Sequence, residues 1–225
     1  MKSKLFFIVP LFLLFSFVSC NENDPVQESQ AQFKSFNKPG DQTIFEIVEG
    51  FVTGTPPQFI QLAAAIGYVD SELGAGLGDV ISTNKGQRTV FAPVDAAFVG
   101  LVGVLEANRP DDIAPIAGVD DIPAEIVLTV LQYHLTNGRR GSNSVVPDPD
   151  EDPKTIQTLL KGASFEVNSD LMITDVAGQP ASIVIPNVSA SNGMIHAIDT
   201  VLLPLSVADI GDPDGDFWTF WRSFL

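Results

Sequence analysis

The point along the chain at which the hydrophobic period changes constrains the fold most. Before about residue 135, apolar residues recur at the three-to-four spacing of helices; from residue 164 onward they fall in short β-branched runs separated by turn residues. Thr43 and Glu46 have the spacing of a capping box, followed by an apolar face at Ile44, Phe45, Ile47 and Val48. A second helix is predicted over 57–66, started by Pro57 and ended by Gly67, with a further short piece over 69–73. The glycines of 74–78 read as a loop, since they lack the Gly-Lys-Ser/Thr ending of a phosphate loop. Thr89, Val90 and Phe91 read as a strand stopped by Pro93, with Asp95 as the cap of a helix through Phe98, Leu101 and Val102. Residues 123–135 carry a strong helical stripe that Gly138 closes, and 146–154 read as a proline-rich acidic loop. Strands are predicted over 164–167, 171–174, 183–188 and 194–203. Helices first and strands mostly last is the signature of an α+β fold.

The first residues carry a different message. Lys2 and Lys4 precede an apolar stretch over 5–18 broken only by Pro10 and Ser16, and Ser19-Cys20 follows. That is the charged, hydrophobic and small-residue order of a secretory signal, and it is short of the roughly 20 apolar residues of a membrane-spanning helix. Phe17-Val18-Ser19-Cys20 resembles a bacterial lipobox, which implies a lipid on Cys20. The organisation expected is a signal peptide over 1–19, a polar lipid-anchored tether over 20–42, a domain over 43–204 and an acidic, aromatic tail over 205–225. Glu22 and Asp24 resemble the surface-export tags of some envelope lipoproteins. The expected location is the bacterial cell envelope, at the outer membrane and exposed at the surface.

Charge and cysteine usage remove several function classes. With 28 acidic against 12 basic side chains and a net charge of -16, the chain has no electrostatic grip on nucleic acid or an anionic bilayer, so membrane contact is expected through the N-terminal lipid alone. A single cysteine excludes an internal disulfide and leaves too few ligands for a cysteine-based metal site.

Three segments carry a family resemblance. The run from Thr89 to Phe98, Thr-Val-Phe-Ala-Pro-Val-Asp-Ala-Ala-Phe, resembles the first signature of fasciclin (FAS1) domains. The run from Ser191 to Pro204, beginning Ser-Asn-Gly-Met-Ile-His-Ala-Ile-Asp, is similar to the second, and Tyr133-His134-Leu135 to the Tyr-His motif between them. The resemblance implies a wedge or sandwich of about seven β-strands flanked by mostly N-terminal helices. Within it Thr89, Phe91, Pro93, Asp95, Phe98, Asn192, Gly193, His196 and Asp199 are fold residues. Phe91 and Phe98 are expected as buried anchors, and Asn192-Gly193 as a positive-φ turn before the last strand.

No catalytic constellation assembles from spacing. His134 and His196 lack the local spacing of a zinc site and are expected to be buried and hydrogen-bonded, with no metal and no cofactor. Asp212, Asp214 and Asp216 have the spacing of a calcium loop without its closing glutamate. The resemblance carries a partner-binding role onto Tyr133, His134 and Leu135. The five aromatic residues between Phe217 and Phe224 pack on the domain or dock a partner, and Phe217, Trp218 and Trp221 are the candidates for contact. The function expected is a non-enzymatic, lipid-anchored binding or adhesion module whose partner is an envelope protein, a matrix component or a glycan. The alternative is a substrate- or glycan-capture accessory of an outer-membrane uptake system, with aromatic rings stacking on sugars.

Overall fold

The computed structural model describes residues 41–52, 58–83 and 86–225; the expected signal peptide, Cys20, nearly all of the tether, and Pro57 lie outside the described residues. Helix α1 (Ile44–Val52) opens with the expected box: Glu46 Oε2 accepts from the Thr43 N–H at 2.7 Å, and the Glu46 N–H donates to Thr43 Oγ1 at 3.2 Å. The predicted pieces at 57–66 and 69–73 are one helix, α2 (Ile60–Leu73). Gly67 does not end it, because burial of Ile66 and Val69 on either side outweighs the ~1 kcal/mol that a helical glycine costs. The stop comes at Gly74, in the left-handed region at φ 59°.

The glycine loop is correspondingly shorter than expected, because α3 (Leu77–Ser82) begins inside it. Asp70 makes this possible: its two carboxylate oxygens accept from the Leu77 and Gly78 N–H groups at 2.7 and 2.8 Å, capping α3 from the preceding helix. After β1 (Arg88–Pro93) come α4 (Asp95–Ala107), a 3-10 turn over Val119–Asp121, and α5 (Ala124–Tyr133). The predicted helix over 123–135 ends early. Leu135–Asn137 forms strand β2, and Gly138, at φ 88°, turns the chain after that strand.

Strands β3 (Lys154–Gln157), β4 (Ser164–Val167), β5 (Met172–Thr174), β6 (Pro180–Ala190) and β7 (Gly193–Ile198) follow, with a short helix α6 (Ser142–Val145) before them. β3 begins at the last residue of the loop predicted over 146–154 and continues into residues for which the sequence predicts no element, because Ile156 is its one buried side chain, too little to show a period. The order across the sheet is β2-β1-β7-β6-β5-β4-β3, and β1 and β7 are its parallel pair. Two interruptions of register in β6, between Ile183 and Ile185 and between Ile185 and Val188, bend the sheet. The bend brings its two outer strands together: the Leu159 N–H donates to the Leu135 carbonyl at 2.7 Å and Thr136 Oγ1 to the Gln157 carbonyl at 2.6 Å. The seven strands thus curl nearly into a barrel.

Among the described residues, buried hydrophobic side chains form two clusters. The smaller lies within the curl, where Phe91 and Tyr133 each meet Phe165 edge to face, at 4.9 and 5.8 Å between ring centres. The larger joins the helices to the sheet through Ile44, Phe51, Phe59, Ile66, Phe98, Ile126 and Ile195. It also takes in the tail, where α7 (Val207–Gly211) and α8 (Asp216–Arg222) carry Ile210, Phe217, Trp218 and Trp221 into it.

Candidate functional site

The two long signature segments lie side by side, since β1 and β7 pair in parallel with Phe91 opposite His196 and Pro93 opposite Ile198. Thr89 is fully buried; its hydroxyl donates to the Gly138 carbonyl and accepts from the Arg140 N–H, both at 2.8 Å. Phe98 is buried as expected. Asp95 has a different duty from the one expected. Val94 stands at the N-cap of α4 without a side-chain bond, and Asp95 Oδ1 accepts from the Gln61 N–H at 2.9 Å, so its carboxylate caps α2 instead. Asp199 holds the start of β6, accepting from the Ser182 N–H at 2.7 Å.

Asn192-Gly193 also departs from expectation, because neither residue has a positive φ. Glycine is required at 193 by proximity: a Cβ there would lie 1.9 Å from the Arg88 carbonyl oxygen and 2.8 Å from Ile44 Cδ1. Asn192 is buried and clamps three segments. Its Oδ1 accepts from the Ile44 N–H at 2.8 Å, and its Nδ2 donates to the Ile81 and Thr83 carbonyls at 2.7 and 3.2 Å.

Both histidines are buried with each ring nitrogen engaged. His134 Nδ1 donates to the Val130 carbonyl at 2.7 Å, and Nε2 accepts from the Leu202 N–H at 2.9 Å, an assignment that requires the neutral ring. His196 Nε2 donates to the Arg140 carbonyl at 2.9 Å, while Nδ1 accepts from the Asn187 N–H at 3.3 Å and the ring stacks on Phe91. Burial pushes the His134 pKa down to about 4, against a smaller opposing effect of the Val130 carbonyl, and lowers that of His196 as well. Burial likewise lifts the Tyr133 phenol to about 12, and its hydroxyl donates to the Ser164 carbonyl at 2.8 Å.

A pH dependence of stability follows. The unfolded chain takes a proton on each histidine near pH 6.5, which the folded chain accepts only at lower pH. The contribution of His134 is complete above pH 6.5 and lost as the pH falls toward 4, amounting to about 3 kcal/mol by the 1.36 kcal/mol per unit conversion, and that of His196 has the same sign. Asp175 works in the opposite sense at the acid end, because burial raises its pKa. Urea unfolding at pH 7.5, 5.5 and 4.5 is expected to show this decline, with a shallower slope in His134→Gln; a wild-type stability that is flat over that range contradicts it.

The six side chains expected to touch a partner are all in the interior. Tyr133, His134 and Leu135 are buried, as are Phe217, Trp218 and Trp221. Direct contact through these side chains is therefore corrected to a role in the core, and the tryptophans present no ring face for a sugar. Trp218 is held from both sides, since Nε1 donates to the Ile210 carbonyl at 2.8 Å and the ring centre lies 5.2 Å from that of Trp221. Arg222 fastens the tail outside, with Nε and Nη2 on the Asp112 carboxylate at 2.6 and 2.8 Å. The Asp212 carboxylate is turned onto the Asp214 N–H at 3.1 Å, and no group of three His, Cys, Asp or Glu among the described residues is placed to hold a metal ion.

What sequence reasoning missed is at the surface. The end of α2, the start of α5 and the last two residues enclose an open groove of about 370 Å³ lined by Tyr68, Glu72, Leu73, Glu125, Phe224 and Leu225 among others. The charge-rich residues 120–125 are the sequence signal nearest to it, but the partnership with the C-terminus is made by the fold.

Residues 61–204 match the family profile described as fasciclin domain. The cell surface glycolipoprotein MPB83 of Mycobacterium bovis is 26% identical over 186 residues, covering 80% of this chain and 73% of that protein. The immunogenic protein MPB70 of the same species is 30% identical over 150 residues, 66% of this chain and 64% of that one. Among solved structures, a FAS1 domain pair from the insect cell adhesion molecule Fasciclin I aligns with a TM-score of 0.45 and 21% identity, covering 63% of this chain and 45% of the pair.

Proposed function

Since the chain belongs to the fasciclin domain family, we propose that it is a binding and adhesion module of the bacterial cell envelope, anchored by lipid on Cys20 and making contact with a protein or matrix component. The observation that carries this reading is the family match together with similarity, along 80% of the chain, to a relative named a cell surface glycolipoprotein. The charged and apolar order of residues 1–20, ending in Phe17-Val18-Ser19-Cys20, supports the anchor. The chain is read as non-enzymatic, which the histidines support. Each is neutral, buried and bonded at both nitrogens, with neither ring placed to exchange a proton with a substrate.

Labelling of producing cells with an alkyne fatty acid tests the anchor, and adherence of those cells to protein-coated surfaces tests the function. The expected result is label on the wild-type chain, loss of label and of membrane association in Cys20→Ser, and weaker adherence in cells carrying that variant. An unlabelled wild-type chain in the soluble fraction overturns the anchor. Adherence equal to that of cells lacking the protein overturns the adhesion role.

A further inference from the structure

We propose that the groove between α2, α5 and the C-terminus is a docking site for a basic, amphipathic segment of a protein partner, a proposal that rests on the reading of the chain as a binding module and names the chemistry of what it binds. The apolar part of the site is open to solvent. Leu73 and Phe224 are each 36% exposed and Leu225 is 80% exposed, and Phe220, half exposed, meets Phe224 edge to face at 4.8 Å beyond the groove's lining. Exposed apolar side chains gathered in one place and rimmed by charge mark a contact surface. The interior aromatic residues Phe217, Trp218 and Trp221 already hold the tail to the domain, so Phe220 and Phe224 are left over from that task.

The rim selects the occupant. Glu72, Asp121 and Glu125 line the groove, and no lysine or arginine is among its lining residues. Their charges converge: after burial, the carboxylates of Glu72, Asp120, Glu125 and Asp121 together disfavour ionisation of the Tyr68 phenol, whose hydroxyl donates to the Ile122 carbonyl at 3.0 Å. A lysine or arginine laid over this rim gains from several carboxylates at once and has the Tyr68 and Phe224 rings nearby. Apolar residues on either side of that cation meet Leu73 and Leu225. The same field repels an anionic lipid surface or a nucleic acid, and a second copy of this chain brings a net charge of -16 against it.

The test uses the folded protein and a short synthetic peptide alternating leucine and lysine, with a leucine–glutamate peptide as control. Backbone amide shifts are expected to move around Tyr68, Glu72, Glu125 and Phe224 with the basic peptide and not with the acidic one. Glu72→Gln with Glu125→Gln is expected to weaken binding about five- to tenfold, from roughly 0.5 kcal/mol or more per exposed charge. Asp148→Asn with Asp150→Asn removes the same net charge from an exposed loop that does not line the groove and is expected to leave affinity within about twofold. Equal loss in both double variants, or shifts scattered away from the groove, overturns the proposal. Cell adherence separates the two readings. If wild-type cells adhere and the Glu72/Glu125 variant adheres equally well, the groove is wrong and the module stands; if wild-type cells do not adhere, the module itself fails.

Discussion

Trp218→Ala is expected to lower the unfolding free energy by about 3–5 kcal/mol, the range for removing a fully buried aromatic side chain. The ring is completely enclosed, meets Phe217 edge to face and Trp221 at a tilt, and its Nε1–H bond to Ile210 joins α8 to α7. At 2–4 °C per kcal/mol for a chain of this size, the melting temperature should fall by roughly 10 °C. Truncation after Pro204 should do more. It removes Ile210, Phe217, Trp218 and Trp221 together and uncovers Leu105, Ile126 and Val127, which line the cavity of about 30 Å³ that the tail closes. Against a total stability of about 5–15 kcal/mol, that loss should leave a chain that binds a hydrophobic dye and lacks a cooperative transition. Calorimetry of the two variants decides the matter, and a truncated chain that melts like the full one would show the tail to be an appendage.

Asn192→Ala is expected to cost about 3 kcal/mol or more, although it removes a side chain that is neither large nor charged. The amide satisfies the N–H of Ile44 and the carbonyls of Ile81 and Thr83, and each buried polar group left without a partner costs ~1–3 kcal/mol. Three distant segments are involved, so the effect should be cooperative: α1 and the end of α3 come loose from the β6–β7 turn together. Asn192→Asp should be at least as damaging at neutral pH, since a buried carboxylate would then face two carbonyl oxygens. Urea unfolding measures both, and native-state hydrogen exchange should show α1 losing protection first. A loss below about 1 kcal/mol in Asn192→Ala would mean that water replaces the amide.

Much of the fold was legible because the residues that specify it act locally. The Thr43–Glu46 box and the 164–167 strand rest on short-range spacing, and both were found where the sequence places them. Errors fell where a distant partner overrides the local signal. Gly67 punctuates the sequence, yet buried neighbours carry α2 through it. Leu135 continues a helical stripe, yet pairing with Val90 draws it into β2. Asp95 stands where a helix cap belongs, but its carboxylate serves a helix 34 residues earlier in the chain. The β7 strand stops at Ile198 although apolar residues run on to Leu203, because Val201, Leu202 and Leu203 are buried in a segment that leaves the sheet.

The candidate site divides in the same way. By itself the sequence determined the α+β class, the family signatures and the acidic balance, because composition and short-range spacing are properties of neighbouring residues. Only the tertiary structure decided which side of each signature faces water. Tyr133, His134, Phe217, Trp218 and Trp221 have the residue types of a contact surface, and their packing places them inside. The groove of Tyr68, Glu72, Glu125, Phe224 and Leu225 has no sequence motif, since its walls come from three stretches well separated along the chain and meet only after the tail has closed onto the helices. Burial depends on all the partners of a side chain at once, and for most of these residues those partners come from remote parts of the chain.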